Sequence, residues 1–408
     1  MVLQPAAQPP PVKFHIAPMQ CYTNRHLRDL LGRLCPAAVL WTEMEKTSDL
    51  ATEAARHRRL WHRQTERPVV LQLGGDDPAQ LAAAVRHAAP YGYSEVNLNC
   101  GCPSVEAGGA DFGAALMRRP DATRRMLEAM AAAAGGVPVS LKCRVGTHER
   151  LAGDAAPPVD EYEPLAEFLH AVSRSGAVQH VAVHARAAVL SGLSPAHNRR
   201  VPPLRPELVA RLALDFPQLR VTLNGGLEGL PALRGAAATP ALDGLMCGRW
   251  ALRRPLDLSL VQQEAWCDRG AVHVGTARAT GAAGAASRAE AVRGYGRQAA
   301  AEVARGEAAV PEALAPLVLV AEQLRDEWDE VEEAGAEEAR LDEDAVRELL
   351  EAVCEAAEAI TGRGVRPPGH GHGDDGPPPF RALRKLFKQR LGTKVCNKLV
   401  RNRGEALM

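Results

Sequence analysis

Between residues 14 and about 252 the chain alternates short apolar runs with longer amphipathic stretches. The apolar runs, each four to six residues long, read as strands at 14–18, 38–42, 69–73, 95–99, 139–144, 180–184, 220–224 and 244–247. Between them apolar positions recur at helical spacing, as at 24–34, 78–89, 123–134, 162–175 and 206–214. Eight strand–helix units in about 240 residues match the count and length of an α/β fold of the (β/α)8 TIM barrel type. An open doubly wound sheet is the alternative. The strand ends favour the ring, because each closes on polar or glycine residues, as a barrel with one active face requires.

Beyond about residue 253 the strand signals stop. Long Ala-, Glu- and Arg-rich stretches read as a C-terminal helical domain over 253–408. Within it lies an acidic segment, 322–358, with roughly five acidic residues for each basic one, followed by a Gly-, Pro- and His-rich linker at 367–379. The last segment, 381–403, carries nine basic residues and no acidic one. The expected organisation is a disordered lead-in at 1–13, a barrel at 14–252, and a helical domain at 253–408 with an insert and linker at about 307–379.

Composition changes this picture little, and charge changes it more. The 408 residues are 46% hydrophobic, aromatics are only 4%, and much of the apolar count is alanine, which suits helices. No apolar run approaches the ~18 residues that span a bilayer, and the Pro- and Ala-rich lead-in has no signal-peptide core, so no membrane is expected as a partner. Nine scattered cysteines, an odd number, form no disulfide framework and fit a reducing compartment: the cytoplasm, with a plastid or mitochondrion as the alternative. The net charge of zero conceals segregation, and a basic amphipathic helix reads as a surface for RNA, for an anionic membrane or for solvent. No metal site is expected. Cys100-x-Cys102 lacks zinc-site partners and spacing, and His370 and His372 sit in a polar linker with no further ligand nearby. No obligate protein partner is evident.

In a barrel the C-terminal strand ends share one rim. That rim would gather Ala17, Pro18 and Met19, then Gln72, Asn99 and Cys102, then Lys142 and Arg144, His184 and Arg186, Asn224 with Gly225 and Gly226, and finally Gly248 with Arg249. Singly, each has an ordinary explanation: Lys142 as a solvated strand-end lysine, His184 as a core histidine, Asn224-Gly225-Gly226 as a turn. Convergence on one rim makes them a candidate site. At its centre stands Asn97-Leu98-Asn99-Cys100-Gly101-Cys102-Pro103-Ser104. Gly101 and Pro103 end the strand sharply and put a thiol at its mouth, while two asparagines two residues apart project to one side. An isolated Gly-Cys-Pro would read as a buried structural cysteine.

That stretch closely resembles the active-site signature of the tRNA-dihydrouridine synthases. Trp41-Thr42-Glu43-Met44, Leu71-Gln72-Leu73-Gly74-Gly75 and the run from His184 through Pro195 to Asn198-Arg199 are similar to the bacterial-type A subfamily, which acts on D-loop uridines at positions 20 and 20a. The resemblance implies an oxidoreductase that uses FMN, with NADPH as electron donor, to reduce the uracil C5–C6 double bond of a uridine in tRNA. It implies that Cys102 donates the proton and that Asn99, Arg144 and Arg186 hold the substrate. Gln72, Lys142, His184 and Asn224 would contact FMN. Such a cofactor suits these residue types. Gly225, Gly226 and Gly248 let backbone N–H groups approach a phosphate, and Arg249 adds a forked cationic donor. Lys142 can stabilise charge on the N1–C2=O edge of the ring, Gln72 can bond its polar edge, and Ala17, Pro18 and Met19 offer a wall. No strand-linked Gly-x-Gly-x-x-Gly is present, so NADPH would dock over the flavin itself. The resemblance continues at 287–306 and 380–403 in the helical region, which in the family helps to hold the tRNA, and lapses over 307–379. Ala187, Val189 and Glu106 depart from the expected lysine, aromatic and basic residues, each removing a contact to RNA. Two alternatives stand beside this reading: an FMN barrel acting on a free pyrimidine, of the dihydroorotate-dehydrogenase type, and a non-catalytic tRNA-binding protein.

Overall fold

The computed structural model describes residues 12–63, 66, 68–103, 112–150, 162–194, 196–263, 282–334, 343–364 and 380–404. The lead-in at 1–11, Ser104, Glu106, Pro195, the acidic residues at 335–342 and the linker at 367–379 with His370 and His372 lie outside them. Contacts divide the chain into two units, one built mainly from Met1–Thr23 and Ala38–Gly248, the other from Asn24–Ala37 and the chain from Arg249 onward.

The first unit holds ten strands: β1 (Lys13–Ile16), β2 (Leu40–Lys46), β3 (Val69–Gly74), β4 (Glu95–Cys100), β5 (Val139–Arg144), β6 (Thr147–His148), β7 (His180–His184), β8 (Ala188–Val189), β9 (Arg220–Asn224) and β10 (Gly244–Cys247). Eight run parallel in the order β1-β10-β9-β7-β5-β4-β3-β2. The ring closes where the Ile16 N–H donates to the Val39 carbonyl at 2.9 Å and the Val39 N–H to the Phe14 carbonyl at 2.8 Å. The chain forms a TIM barrel, as the strand pattern requires. The short strands β6 and β8 pair with each other above it.

Alternation along each strand explains both faces of the ring. Phe14, Ile16, Leu71, Leu73, Leu98, Leu141, Val181, Val183, Val221 and Leu223 are buried, and each such aliphatic side chain stabilises the fold by about 1.5–3 kcal/mol. The opposite parity faces the lumen. There Ala17, Trp41, Val70, Ala182 and Met246 form one small cluster drawn from five strands. Further polar lumen residues replace the branched aliphatic layers usual in such barrels. The His15 and His180 rings meet across the lumen at 5.7 Å between centroids, with Trp41 at 6.3 Å from His180.

Helices Glu53–Leu60, Pro78–Ala88, Pro120–Ala133, Tyr162–Ser173, Pro206–Asp215 and Leu230–Ala237 accompany the strands. Three of them start on proline, whose missing N–H would be unbonded there anyway. The Asp77 carboxylate caps one of these starts, accepting from the Gln80 N–H at 2.8 Å.

The second unit contains helices Arg25–Leu34, Arg249–Arg253, Leu258–Gln262, Ala282–Ala304, Val310–Ala334, Glu343–Thr361, Phe380–Leu391 and Thr393–Gly404. The helix expected at 24–34 forms, with Asn24 as its N-cap, but it packs against Ala282–Ala304 and Val310–Ala334 rather than belonging to the barrel unit. The acidic segment is likewise structural. Leu324, Trp328, Val346, Leu349, Leu350 and Val353 are all buried, so its two helices supply much of this unit's core. Among the described residues no helix is long and apolar enough to cross a membrane.

Candidate active site

The loop after β4 is held from three sides. The Asn99 side-chain oxygen accepts from the Cys102 N–H at 2.9 Å and the Gly101 N–H at 3.1 Å. The Cys102 carbonyl accepts from the Ala114 N–H at 2.9 Å. Arg144 donates through Nε to the Gly101 carbonyl at 3.0 Å. Gly113 makes this possible: it has φ +70°, and a Cβ there would lie 2.4 Å from the Cys102 carbonyl oxygen. Gly113 drew no attention in the sequence, because nothing marks a glycine eleven residues from the thiol as its neighbour.

Cys102 is half-buried, whereas Cys100 and Cys143 on either side of it are fully buried. Burial pushes the Cys143 thiol up to about 12 and the Cys100 thiol well above its ordinary value. Those two are inert packing groups, which leaves Cys102 as the accessible thiol of the β4–β5 pair.

Beside this loop, the Gln72 amide bridges the two asparagines. Asn99 Nδ2 donates to Gln72 Oε1 at 2.8 Å, and Gln72 Nε2 donates to Asn97 Oδ1 at 2.9 Å. The half-buried Lys142 donates from Nζ to Asn224 Oδ1 at 3.0 Å, and Asn224 Nδ2 donates to the Met246 carbonyl at 2.8 Å. Desolvation and then the neighbouring Arg144 guanidinium lower the Lys142 ammonium to about 8. Arg144 is buried and lowered to about 10, chiefly by desolvation. Its Nη1 donates to the carbonyls of Ala187 and Asn198 at 3.3 and 3.1 Å. Arg186 is buried too and donates to the carbonyls of Arg200, at 2.8 Å, and Pro202.

Glycine shapes the opposite side of the rim. Gly225 has φ +104°, and a Cβ there would come within 2.7 Å of the His184 ring; Gly226 has φ +76° and abuts Leu204. A Cβ on Gly248 would lie 3.3 Å from the Met19 sulfur and 3.5 Å from Ala17 Cβ. Pro18 lies between those two residues in the chain, on the turn that the Thr23 hydroxyl secures by accepting the Met19 N–H at 3.0 Å. Arg249 follows Gly248 and opens a helix of the second unit. The first unit therefore brings the expected residues from Ala17 through Gly248 to the C-terminal ends of its strands and the loops that follow them.

Two expected departures look different in three dimensions. Ala187 and Val189 are buried at 2% and 1% exposure, with Val189 bonded through both its N–H and carbonyl to the Asn198 amide. Both side chains are packed inside the protein. Glu106 lies outside the described residues.

Several buried polar residues escaped the sequence reading, Glu95, Ser140, His180 and Thr222, together with the partly exposed Arg220. The Glu95 carboxylate accepts from the Ser140 hydroxyl at 2.5 Å and faces His180 Nδ1 at 2.9 Å. His180 Nε2 meets the Thr222 hydroxyl at 2.8 Å, and Arg220 reaches Glu95 at 3.4 Å. Burial alone would raise Glu95, but His180, Ser140 and Arg220 together hold it well below the usual carboxylate range.

A family model described as Dihydrouridine synthase (Dus) matches residues 15–350, which reaches past residue 307 where the sequence resemblance lapsed. The chain is 43% identical over 243 residues to a tRNA-dihydrouridine(20/20a) synthase of Xylella fastidiosa (strain 9a5c), covering 60% of this chain and 68% of that protein. It is 42% identical over 252 residues to the protein of the same name from Pseudomonas syringae pv. tomato, covering 62% and 71%. Among solved structures, a 2-naphthoyl-CoA reductase in complex with 2-naphthoyl-CoA aligns at a TM-score of 0.44 and 9% identity over 62% of this chain and 50% of that one.

Proposed function

The chain belongs to the dihydrouridine synthase family, and from that premise we propose that it reduces the uracil C5–C6 bond of tRNA uridines at positions 20 and 20a, using FMN and NADPH. The observation that carries this reading is the seat of Cys102: an accessible thiol whose loop is fixed from three sides, beside a half-buried lysine and a bridge of amides.

The residues fit an FMN. Gly225 and Gly226 have positive φ and no room for a Cβ beside His184 and Leu204, a glycine-only backbone form whose N–H groups would line a phosphate. Gly248 would complete that end. Gln72, Lys142, His184 and Asn224 would be the polar contacts for the ring, and Ala17, Pro18 and Met19 its wall. FMN, when bound, supplies the hydride that it takes from NADPH and that reaches uracil C6.

The protein's own part is proton management and placement. Cys102 gives its thiol proton to C5 from the opposite face, as a general acid. The thiolate left behind is reprotonated from solvent. Asn99 positions the Cys102 loop and, with Arg144 and Arg186, frames the uracil. Lys142 would stabilise negative charge on the bound cofactor. Drawing a base out of its RNA context costs a few kcal/mol, which contacts from the exposed basic residues of the last two helices offset.

The test separates the two half-reactions. The flavin is reduced anaerobically with stoichiometric NADPH, and unmodified tRNA is added. Reoxidation by tRNA, and not by free uracil or orotate, is expected. Cys102→Ala should keep NADPH oxidation with an artificial acceptor and lose uridine reduction. Reoxidation by orotate alone would move the assignment to a small-pyrimidine dehydrogenase, and a colourless protein that binds tRNA would move it to a non-catalytic binder.

A further inference from the structure

The lumen of the barrel is occupied by a single file of hydrogen bonds from β4 to the thiol loop. Each bond has a definite direction, and the two ends of the file agree on it: the Gly101 and Cys102 backbone N–H groups can only donate, and the Glu95 carboxylate at the other end takes the Ser140 proton. Glu95 is ionised and can only accept. The Ser140 hydroxyl must therefore spend its proton on Glu95 Oε1, at 2.5 Å, leaving only lone pairs toward Asn97. Asn97 must then present its NH2, which donates to Ser140 Oγ at 2.8 Å. Its carbonyl oxygen is thereby turned toward Gln72, whose NH2 donates to it at 2.9 Å. Gln72 Oε1 is left facing Asn99, which donates to it at 2.8 Å and so turns its own oxygen to the Cys102 and Gly101 N–H groups. Reversing any amide would set acceptor against acceptor somewhere along the file.

We propose that Glu95, Ser140 and Asn97 are positioning residues: a polar relay that fixes which edge Gln72 and Asn99 present at the mouth and thereby holds the Cys102 loop in register for proton transfer. Simple structural need does not account for it. Glu95, Asn97, Ser140 and Gln72 are at most 6% exposed, and a buried carboxylate held by a hydroxyl, His180 and Arg220 is often no more stable than an apolar packing of equal volume. The same lumen contains an apolar cluster with Val70 and Met246, so packing of that kind is available to this barrel. The far end of the network supplies an internal control. Thr222 bonds His180, beyond Glu95, and its loss leaves the direction of every amide unchanged.

The inference rests on the proposed flavin reaction only for its activity measurement; its other reading needs neither flavin nor tRNA. Ser140→Ala and Thr222→Val are compared with the wild type in the purified full-length protein. Three quantities are followed: thermal midpoint, the alkylation rate of Cys102 by iodoacetamide read by peptide mass spectrometry, and the split between NADPH-driven flavin reduction and tRNA-driven reoxidation. Both variants should lower the midpoint. Ser140→Ala alone should change the Cys102 alkylation rate, by about fivefold, the factor for one hydrogen bond, and slow reoxidation more than reduction. Ser140→Cys, which keeps a weak donor, should fall between. Should Ser140→Ala match Thr222→Val in all three quantities, the relay is structural only and the proposal fails. If the wild-type protein bleaches no flavin, the functional reading falls while the alkylation comparison still decides the relay.

Discussion

Lys142 shows how much of a site's chemistry depends on what surrounds one atom. An exposed lysine stays charged to about 10.4. Desolvation and Arg144 bring this one to about 8. The sign follows from the charge. Below that value the ammonium is present and can stabilise negative charge on the cofactor; as pH rises through about 8 it is lost. The rate of flavin bleaching by NADPH should therefore fall between about pH 7 and 9, and Lys142→Arg should move that fall to higher pH while slowing the reaction. A stopped-flow series across this range checks it, and a flat profile for the wild type removes Lys142 from the reduction step. Lys142 was visible in the sequence as a polar residue ending an apolar strand. Glu95 was not: a glutamate opening a strand is ordinary, and only its approach to the Ser140 hydroxyl on β5 and to His180 on β7 makes it the end of the proposed relay.

At the scale of elements, the second unit depends on one close crossing. Gly296 in Ala282–Ala304 faces Ala356 in Glu343–Thr361, and a Cβ on Gly296 would come within 2.5 Å of the Ala356 Cβ. Elsewhere in a helix, Gly→Ala stabilises by up to about 1 kcal/mol through propensity. Here overpacking opposes that by about 1–3 kcal/mol, so Gly296→Ala should lower the thermal midpoint. The exposed Gly235→Ala, with nothing within 4 Å of the new Cβ, should leave it unchanged or raise it. Reversal of that order would mean that the two helices do not pack as described. Elements were legible where one periodicity dominated: β5, β7, β9 and β10 have the bounds their apolar runs implied. Helix Glu53–Leu60 was missed because EAARHRRL buries only Leu60 and so has no apolar stripe. Leu230–Ala237 was missed because Gly229 and Pro231 mark a turn as readily as a helix start. The helix at 24–34 was legible as a helix, but its partners were not, since an amphipathic face records that it is buried and not against what.

For the whole molecule, a net charge of zero is the sum of an acidic stretch and a basic end, and the structure changes how their roles can be tested. Deleting 322–358 would remove Leu324, Trp328, Val346, Leu349, Leu350 and Val353 from the core, so a loss of tRNA binding would report unfolding. Substitutions on the surface avoid this. Arg384, Lys385, Lys394 and Lys398 are exposed on helices whose Leu383, Phe387, Cys396 and Leu399 are buried. Changing those four to Gln should weaken binding to all tRNAs alike and make the slope of log K against log salt shallower by about one for each phosphate contact removed. Flavin reduction by NADPH should be unaffected. If the acidic helices compete with RNA for the same basic residues, neutralising the exposed Asp344 and Glu358 should tighten tRNA binding most at low salt, where screening is weakest. Filter-binding titrations over a salt series measure both. An unchanged slope in the fourfold Gln variant would place the RNA contacts on other residues, and an unchanged affinity in the Asp344→Asn, Glu358→Gln variant would leave those two acids as solvated surface.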